Sequence, residues 1–276
     1  RVTWKVSRVD DVAGEDDIQA MSDVTAGGPG VVAVGIAEFG NYDYHAAVWT
    51  SIDGIAWTRV PHDEQVFGGD GYQQMEAVTA GGPGLVAVGL TGDHGSGNAA
   101  VWTSADGVAW DRVPDDEEVF GGEGLQQMLD VTAGRPALVA IGVDNSDAAV
   151  WTSVDGTHWV RVPYDEEIFG GEGYQRIAGV TTGGPGFVAV GEDRPLYRPC
   201  GQAAAWISAD SVKWTRLPHD EEVFGGPGAE SMSSSIASRD EGVVVGGSAS
   251  FEDCASYGSG ATSGPAVWIA TPKAPR

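Results

Sequence analysis

Paired carboxylates are the residues of this sequence that could do chemistry most readily. They recur in four copies of one loop, HDEQVFGG (62–69), DDEEVFGG (115–122), YDEEIFGG (164–171) and HDEEVFGG (219–226). The shared acids are Asp63 and Glu64, Asp116 and Glu117, Asp165 and Glu166, and Asp220 and Glu221. Such pairs could supply the acid and base that cleave a glycosidic bond, or oxygen ligands for Ca²⁺.

The repetition of the loop argues against catalysis. An active site needs carboxylates in different environments, whereas near-identical loops predict equivalent sites or none. No P-loop, Ser-His-Asp elbow or Cys/His zinc spacing occurs, and neither loop matches a calcium signature. We therefore expect no enzyme, no catalytic residue and no assigned metal site, with Ca²⁺ left open. The alternative is a purely structural loop, with Phe67, Phe120, Phe169 and Phe224 packed inward.

Polar and aromatic residues beside these loops are further candidates for ligand binding. Equivalent positions of the repeat hold Gln73, Gln126, Gln175 and Glu230. The variable segments contribute Tyr44, His45, Tyr197 and Tyr257. Aromatic rings mixed with Asp and Asn suit recognition of a sugar or a peptide. The alternative is that these residues only cover the ends of the sheets.

The elements that position these residues follow from an internal repeat of about 50 residues. One copy contains QMEAVTA, LVAVG, AAVWTS and AWDRV, between 74 and 113. The first reads as a strand ended by GGPG, the second as a strand buried on both faces, and the last two as a hairpin around Asp-Gly. No segment has helical periodicity. Four short strands per repeat predict a β-propeller.

The chain ends predict how the propeller closes. The last repeat lacks its fourth strand, and the chain begins with a lone one, VTWKV (2–6). We therefore expect an all-β, five-bladed propeller of four antiparallel strands per blade, with the N-terminal strand completing the last blade and closing the ring. The whole chain, 1–276, forms one domain. Its blades span about 18–61, 72–114, 125–163, 174–218, and 230–271 plus 1–9.

The predicted strand order also determines on which face of the propeller each loop lies. The acidic links between blades and the variable loops between second and third strands share one face, and the tight turns share the other. Long, varied loops on a rigid scaffold are the usual place for binding. Each blade also carries two tryptophans, which we expect to pack blade against blade.

The hairpins carry the pattern Ser-x-Asp-Gly-x-x-Trp, as in Ser104, Asp106, Gly107 and Trp110. This pattern resembles the Asp-box of sialidase-type propellers, one residue shorter. The resemblance implies a turn motif on the rim, away from any active site. The repeated arginines follow the hairpin tryptophan by two residues and read as structural, so sialidase activity is not implied. The five-fold repeat is similar to tachylectin-type propellers in architecture only.

The net charge limits which binding partners we expect, and the cysteines indicate a cellular location. The net charge of −25 disfavours nucleic acid and anionic membranes, and no apolar run could span a bilayer. Cys200 and Cys254 fall in variable loops of neighbouring blades, which predicts a disulfide and a secreted or extracytoplasmic protein; two unrelated thiols are the alternative.

Together these features predict a non-enzymatic, monomeric recognition module that binds glycans at several lectin-like sites. A protein-interaction module of a larger secreted or envelope protein is the first alternative. A glycoside hydrolase is the less favoured one.

Overall fold

The computed structural model describes residues 18–40, 44–93, 95–184, 186–196, 201–220, 230–239, 242–250 and 263–270. Within these ranges the chain forms five antiparallel sheets, each ordered along the chain. The first contains β1 (Gln19–Gly27), β2 (Gly30–Glu38), β3 (Tyr44–Ser51) and β4 (Thr58–Arg59). The second contains β5 (Tyr72–Gly81), β6 (Gly84–Gly92), β7 (Asn98–Ser104) and β8 (Asp111–Arg112).

The other three sheets repeat this plan. The third contains β9 (Gln126–Ala133), β10 (Leu138–Asp144), β11 (Asp147–Ser153) and β12 (Trp159–Arg161). The fourth contains β13 (Gly173–Gly183), β14 (Gly186–Pro195), β15 (Gln202–Ser208) and β16 (Trp214–Arg216). The fifth contains β17 (Glu230–Arg239), β18 (Gly242–Ser250) and β19 (Ser263–Ala270). Antiparallel sheets of this kind, packed in succession, confirm an all-β propeller architecture.

The first strand of each sheet lies innermost. Strands β1, β5, β9, β13 and β17 contact one another in succession, whereas the two- or three-residue fourth strands lie at the outer edge. Apolar residues of neighbouring sheets fill the space between them. Trp102 of the second sheet, for example, packs in one cluster with Val48 of the first. Trp151 and Trp206, on the third strands of the next two sheets, likewise cluster with residues of the preceding sheet.

The second strands are buried on both faces, as the LVAVG pattern predicts. In β6, Leu85, Val86, Ala87 and Val88 are at most 1% exposed. Gly89, which follows these residues, is required for a different reason. A Cβ on Gly89 would lie 1.9 Å from the backbone oxygen of Gln74, so no other residue fits there.

That close approach arises from a β-bulge in the innermost strand. The register of β5 against β6 breaks between Met75 and Ala77, which leaves Glu76 as the extra residue. The first, third and fourth sheets break at the equivalent place, where Ser22, Leu129 and Ala178 are the extra residues. A bulge re-aims the side chain that it carries. The strands facing the axis therefore each present one irregular position.

The Asp-Gly hairpins are held by two side chains. In the second sheet, Ser104 Oγ accepts a hydrogen bond from the Gly107 backbone N–H at 2.8 Å. Asp106 Oδ1 accepts from Val108 and Ala109 at 2.9 and 2.8 Å. These backbone donors lower the pKa of the Asp106 carboxyl. Gly107 has a φ of 78°, which explains the glycine, although Ser211 takes a φ of 68° in the fourth copy.

The acidic links form compact joints that the sequence pattern did not predict as helical. Two of them contain a single helical turn, α1 (Glu64–Phe67) and α2 (Glu117–Phe120), too short to show a helical period. The aspartate of each link caps the turn: Asp116 accepts from the Glu118 backbone N–H at 3.1 Å. Phe120 is buried and packs between the second and third sheets. Trp151 Nε1 then donates to the Val119 carbonyl at 2.8 Å.

Loop positions agree with the predicted two faces. Backbone bonds join the start of innermost strands to variable loops, as from Gln126 N–H to the Gly97 carbonyl at 2.8 Å. At the opposite end, a Cβ on Gly28 in a tight turn would lie 2.6 Å from the Asp106 carbonyl of the next hairpin.

Several sequence-based expectations fall outside the described residues. These are the closing strand at 2–6, Glu221, Phe224, Tyr197, Tyr257, Cys200 and Cys254. Ring closure, the disulfide and the contribution of those loop residues stay predictions. No helix in the described part of the chain is long and apolar enough to cross a lipid bilayer.

Candidate functional site

The predicted glutamines lie at the start of innermost strands and are enclosed by the protein. Gln73, Gln126 and Gln175 are 0% exposed. Gln126 Nε2 donates to Asp144 Oδ1 and Gln175 Nε2 donates to Asp193 Oδ1, both at 2.9 Å. The Oε1 atom of each of the three is buried without a hydrogen-bond partner among the described residues. Their geometry suits positioning of the strand ends; of Glu230, the structure describes only its place at the start of β17.

The repeated arginines complete the same networks. Arg161 forms an ion pair with Asp144, and Arg216 with Asp193. The Arg161 guanidinium also lies over the ring of Trp151, 5.4 Å from its centroid. These contacts agree with the structural role expected for the arginines.

The link carboxylates are held in joints between strand and link. In the second sheet, Asn98 Nδ2 donates to Glu117 Oε2 at 3.2 Å. In the third sheet, the Tyr164 hydroxyl donates to Glu166 Oε2 at 2.5 Å, and this bond raises the pKa of Tyr164. Asp63 and Asp165, like Asp116, accept backbone N–H groups as caps, from Gln65 at 2.9 Å and Glu167 at 3.0 Å. Asp220 is described without an assigned helix or strand.

The joint of the first sheet differs in composition. His45 is buried at the start of β3, and its ring stacks on His62 with centroids 4.9 Å apart. His62 Nε2 lies 3.1 Å from Glu64 Oε2, and this hydrogen bond is the main cause of a lowered pKa at Glu64. Tyr44 lies beside the ring of Tyr72, at 5.3 Å. Two imidazoles and one carboxylate therefore converge here.

A second group of polar side chains lies on the innermost strands, at the axis side of the sheets. Glu76, the bulge residue of β5, accepts a hydrogen bond from Gln127 Nε2 of β9 at 2.7 Å. Arg176 of β13 acts on Glu76 electrostatically. The Tyr72 hydroxyl donates to Gln74 Oε1 at 2.7 Å. Three neighbouring blades thus contribute to one cluster, which we call the axial cluster: Tyr72, Gln74, Glu76, Gln127 and Arg176.

Burial sets the protonation tendency of Glu76. Desolvation raises the pKa of its carboxyl, and Gln127, Arg176 and Gln74 oppose that rise. A half-buried carboxyl whose pKa is raised is better suited than an exposed one to donate a proton to a ligand. Its equivalents in the bulges of the first, third and fourth sheets, Ser22, Leu129 and Ala178, cannot do so.

Two aspartates connect innermost strands near this cluster. Asp23 Oδ2 accepts from the Val78 backbone N–H, and Asp130 Oδ2 from the Val180 N–H, both at 2.8 Å. Desolvation raises the pKa of Asp130 to about 7, against the lowering effect of its bonds from Val180 and Val131. Each aspartate ties its strand to the first strand of the next blade.

Sequence reasoning missed the axial cluster because it searched for residues that repeat. The residues of this cluster do not repeat: at equivalent places the innermost strands contain QMEA, QMLD and RIAG. Only one of these carries a glutamate at the bulge. The expectation of equivalent sites or none rested on the repeated links, whereas the residues at the bulges of the innermost strands differ from sheet to sheet.

Known proteins resemble this chain in structure. No protein-family model matches it, and no curated protein matches its sequence. Among solved structures, the α-L-arabinofuranosidase Arb93A of Fusarium graminearum matches with 15% identity and a TM-score of 0.49, over 81% of this chain and 73% of that one. The β-1,2-mannobiose phosphorylase of Listeria innocua matches with 12% identity and a TM-score of 0.45, over 86% and 89%.

A third match is the GH32 β-fructofuranosidase BmSUC1 of Bombyx mori, with 14% identity and a TM-score of 0.45, over 83% of this chain. This chain spans about half of that enzyme, 55% of its length. At such identities the likeness concerns the fold alone.

These findings correct two sequence-based expectations. A non-enzymatic, lectin-like module was expected, with a protein-interaction module as first alternative, whereas the matched structures are named as glycoside hydrolases and a phosphorylase.

Proposed function

We propose that this protein is a carbohydrate-processing enzyme that cleaves a glycosidic bond at the axial cluster, with Glu76 as proton donor. The observation that supports it is the bulge position of the innermost strands. Glu76 is ionisable, half-buried and raised in pKa, whereas the equivalent residues of three other blades are not ionisable. One asymmetric acid on a repeated scaffold is what catalysis requires and what a structural repeat does not need.

The proposed chemistry is protonation of the leaving group. Glu76 gives its proton to the glycosidic oxygen as the bond between that oxygen and the anomeric carbon breaks. A water molecule adds its oxygen to the anomeric carbon and gives its proton to a second carboxylate. Asp23 and Asp130, on the two flanking innermost strands, are the candidates for this base. Each accepts backbone N–H bonds and retains lone pairs, because an ionised carboxylate has about four acceptor sites.

The substrate class follows from the surrounding groups. Gln74, Gln127 and Tyr72 offer amide and hydroxyl groups, which form hydrogen bonds with sugar hydroxyls as donors and acceptors. Arg176 adds a cation to a protein whose net charge is −25. That charge repels anionic polymers, so we assign a neutral glycan.

The test is a cleavage assay on a panel of neutral oligosaccharides and polysaccharides, run with and without inorganic phosphate so that hydrolysis and phosphorolysis are both detected. Glu76→Gln keeps the size of the side chain and removes the acid. We expect it to lower the rate about 100-fold or more. The matched control is Glu117→Gln, which we expect to leave the rate unchanged. Glu117 lies in the acidic link between the second and third sheets, and we call these links the rim joints. Absence of cleavage across the panel would overturn the proposal.

We also propose the finer architecture expected from the sequence. It comprises a single five-bladed domain closed by residues 2–6, Asp-box-like hairpins, a Cys200–Cys254 disulfide, and a monomeric, extracytoplasmic protein. The resemblance of the hairpins and the placement of the two cysteines in neighbouring variable loops support it. A free-thiol count under denaturing, non-reducing conditions tests the disulfide: zero is expected, and two would refute it.

A further inference from the structure

We propose that His45, His62 and Glu64 form a binding site for a divalent transition metal of the zinc class, at the joint between β3 and the first acidic link. Three potential ligand atoms face one another there: His45 Nδ1, His62 Nε2 and Glu64 Oε2. This site is separate from the axial cluster and independent of the function proposed for it.

The distances fit one metal ion. The two imidazole nitrogens lie 3.3 Å apart, and Glu64 Oε2 lies 3.1 Å from His62 Nε2 and 3.9 Å from His45 Nδ1. In a tetrahedral zinc site with ligands at about 2.0–2.1 Å, neighbouring ligand atoms are about 3.3 Å apart. The three atoms therefore already span most of one face of such a tetrahedron. Two nitrogens with one carboxylate favour zinc-like metals over Ca²⁺, which prefers oxygen.

The candidate metal site is buried on the histidine side and open to solvent on the side of Glu64. The side chains of His45, His62 and Glu64 are 6%, 22% and 66% exposed. The ring of Phe39 packs against both imidazoles, with centroids 5.0 and 4.5 Å away. The metal would therefore have an apolar wall on the histidine side, and a fourth ligand could enter from solvent beside Glu64.

The protein also fixes the orientation of the carboxylate. Glu64 Oε1 accepts the Gly69 backbone N–H at 3.2 Å, which leaves Oε2 for the histidines. A Cβ on the adjacent Gly68 would lie 2.6 Å from the Glu64 carboxylate, so a larger residue there would displace that carboxylate. Such a second contact on a ligand orients it for a metal.

The other blades show that histidine is not needed to build this joint. The equivalent residues are Asn98, Asp115 and Glu117 in the second sheet, and Asp147, Tyr164 and Glu166 in the third. There the glutamate is held by a hydrogen bond from the amide or the hydroxyl. The fourth copy has Gln202 and His219. Only the first joint combines two histidines with the glutamate, so its composition exceeds what the link requires.

The primary experiment measures zinc bound to the chelator-treated, untagged protein, by isothermal titration and by metal analysis after desalting. We expect one zinc per chain. His45→Asn, which installs the residue of the second joint, should weaken binding at least 10-fold. His219→Asn, in the fourth joint, should leave binding unchanged. No stoichiometric zinc in the wild type, or unchanged affinity in His45→Asn, would overturn the proposal.

A transplant provides a second, independent measurement. Asn98→His combined with Asp115→His gives the second joint the composition of the first, with Glu117 in place. We expect two zinc ions per folded chain, and a single one would contradict the geometric argument. Circular dichroism establishes that each variant is folded. Glu76→Gln should still bind one zinc, so a failure of the axial proposal and a failure of this one are distinguishable.

Discussion

The rim joints and the axial bulges are both repeated around the molecule, but they vary in different ways. At the rim, each described link keeps its capping aspartate and inward phenylalanine, because these residues hold one blade to the next. At the axis, the backbone bulge is kept while its side chain changes from Ser22 to Glu76, Leu129 and Ala178. In this propeller, repetition marks architecture, and departure from repetition marks the candidate for chemistry.

The largest effect on stability should come from emptying a rim joint. Phe120 is 3% exposed and packs between the second and third sheets. Phe120→Ala removes that packing and leaves a cavity, so we expect the free energy of unfolding to fall by about 3–5 kcal/mol. Urea unfolding followed by tryptophan fluorescence measures this. A loss below about 1 kcal/mol would show that the link is not a structural joint.

An intermediate effect should come from the aspartate that ties neighbouring innermost strands. Because the folded-state pKa of Asp130 is raised to about 7, its contribution to stability is present at low pH and is lost as the pH rises from about 4 to about 7. Asp130→Asn cannot ionise and should remove about 2–3 kcal/mol of the stability difference between pH 5 and pH 8. Unfolding curves of wild type and variant at pH 5 and pH 8 test it. Parallel pH dependence in both proteins would contradict the assignment.

The smallest effect should come from the acids of the rim joints. Glu117 accepts a hydrogen bond from Asn98 at the surface. Glu117→Gln keeps the shape and an acceptor oxygen, so we expect stability to change by less than about 0.5 kcal/mol. Thermal unfolding checks this. A loss well above that value would show that the charge of Glu117 stabilises the link, contrary to this prediction.

The sequence was sufficient to predict the strands but not all of their lengths. The interpretation of QMEAVTA (74–80) as a strand agrees with β5 at Tyr72–Gly81. The predicted fourth strand, AWDRV (109–113), is reduced to Asp111–Arg112. The hairpin explains the difference at the start of the strand, because the backbone N–H of Ala109 is bound by Asp106 Oδ1. At its end, Val113 N–H still donates to the Val101 carbonyl of β7 at 2.9 Å.

The sites were harder to predict from sequence for two physical reasons. A bulge breaks the two-residue alternation of a strand, so Glu76 could not be assigned to a face from the pattern alone. The histidines of the first joint are far apart in the sequence, at 45 and 62, and only the pairing of β3 with β4 brings them together. The separation of the two histidines matches no motif that the sequence analysis identified.

The central claim, that the axis and not the rim performs the chemistry, is tested most directly by one comparison of rates. Wild type, Glu76→Gln and Glu117→Gln are assayed side by side on a glycan that the wild type cleaves. We predict a loss of about 100-fold or more for Glu76→Gln, with unchanged thermal stability, and wild-type activity for Glu117→Gln. Full activity of Glu76→Gln, or an equal loss in both variants, would contradict the account.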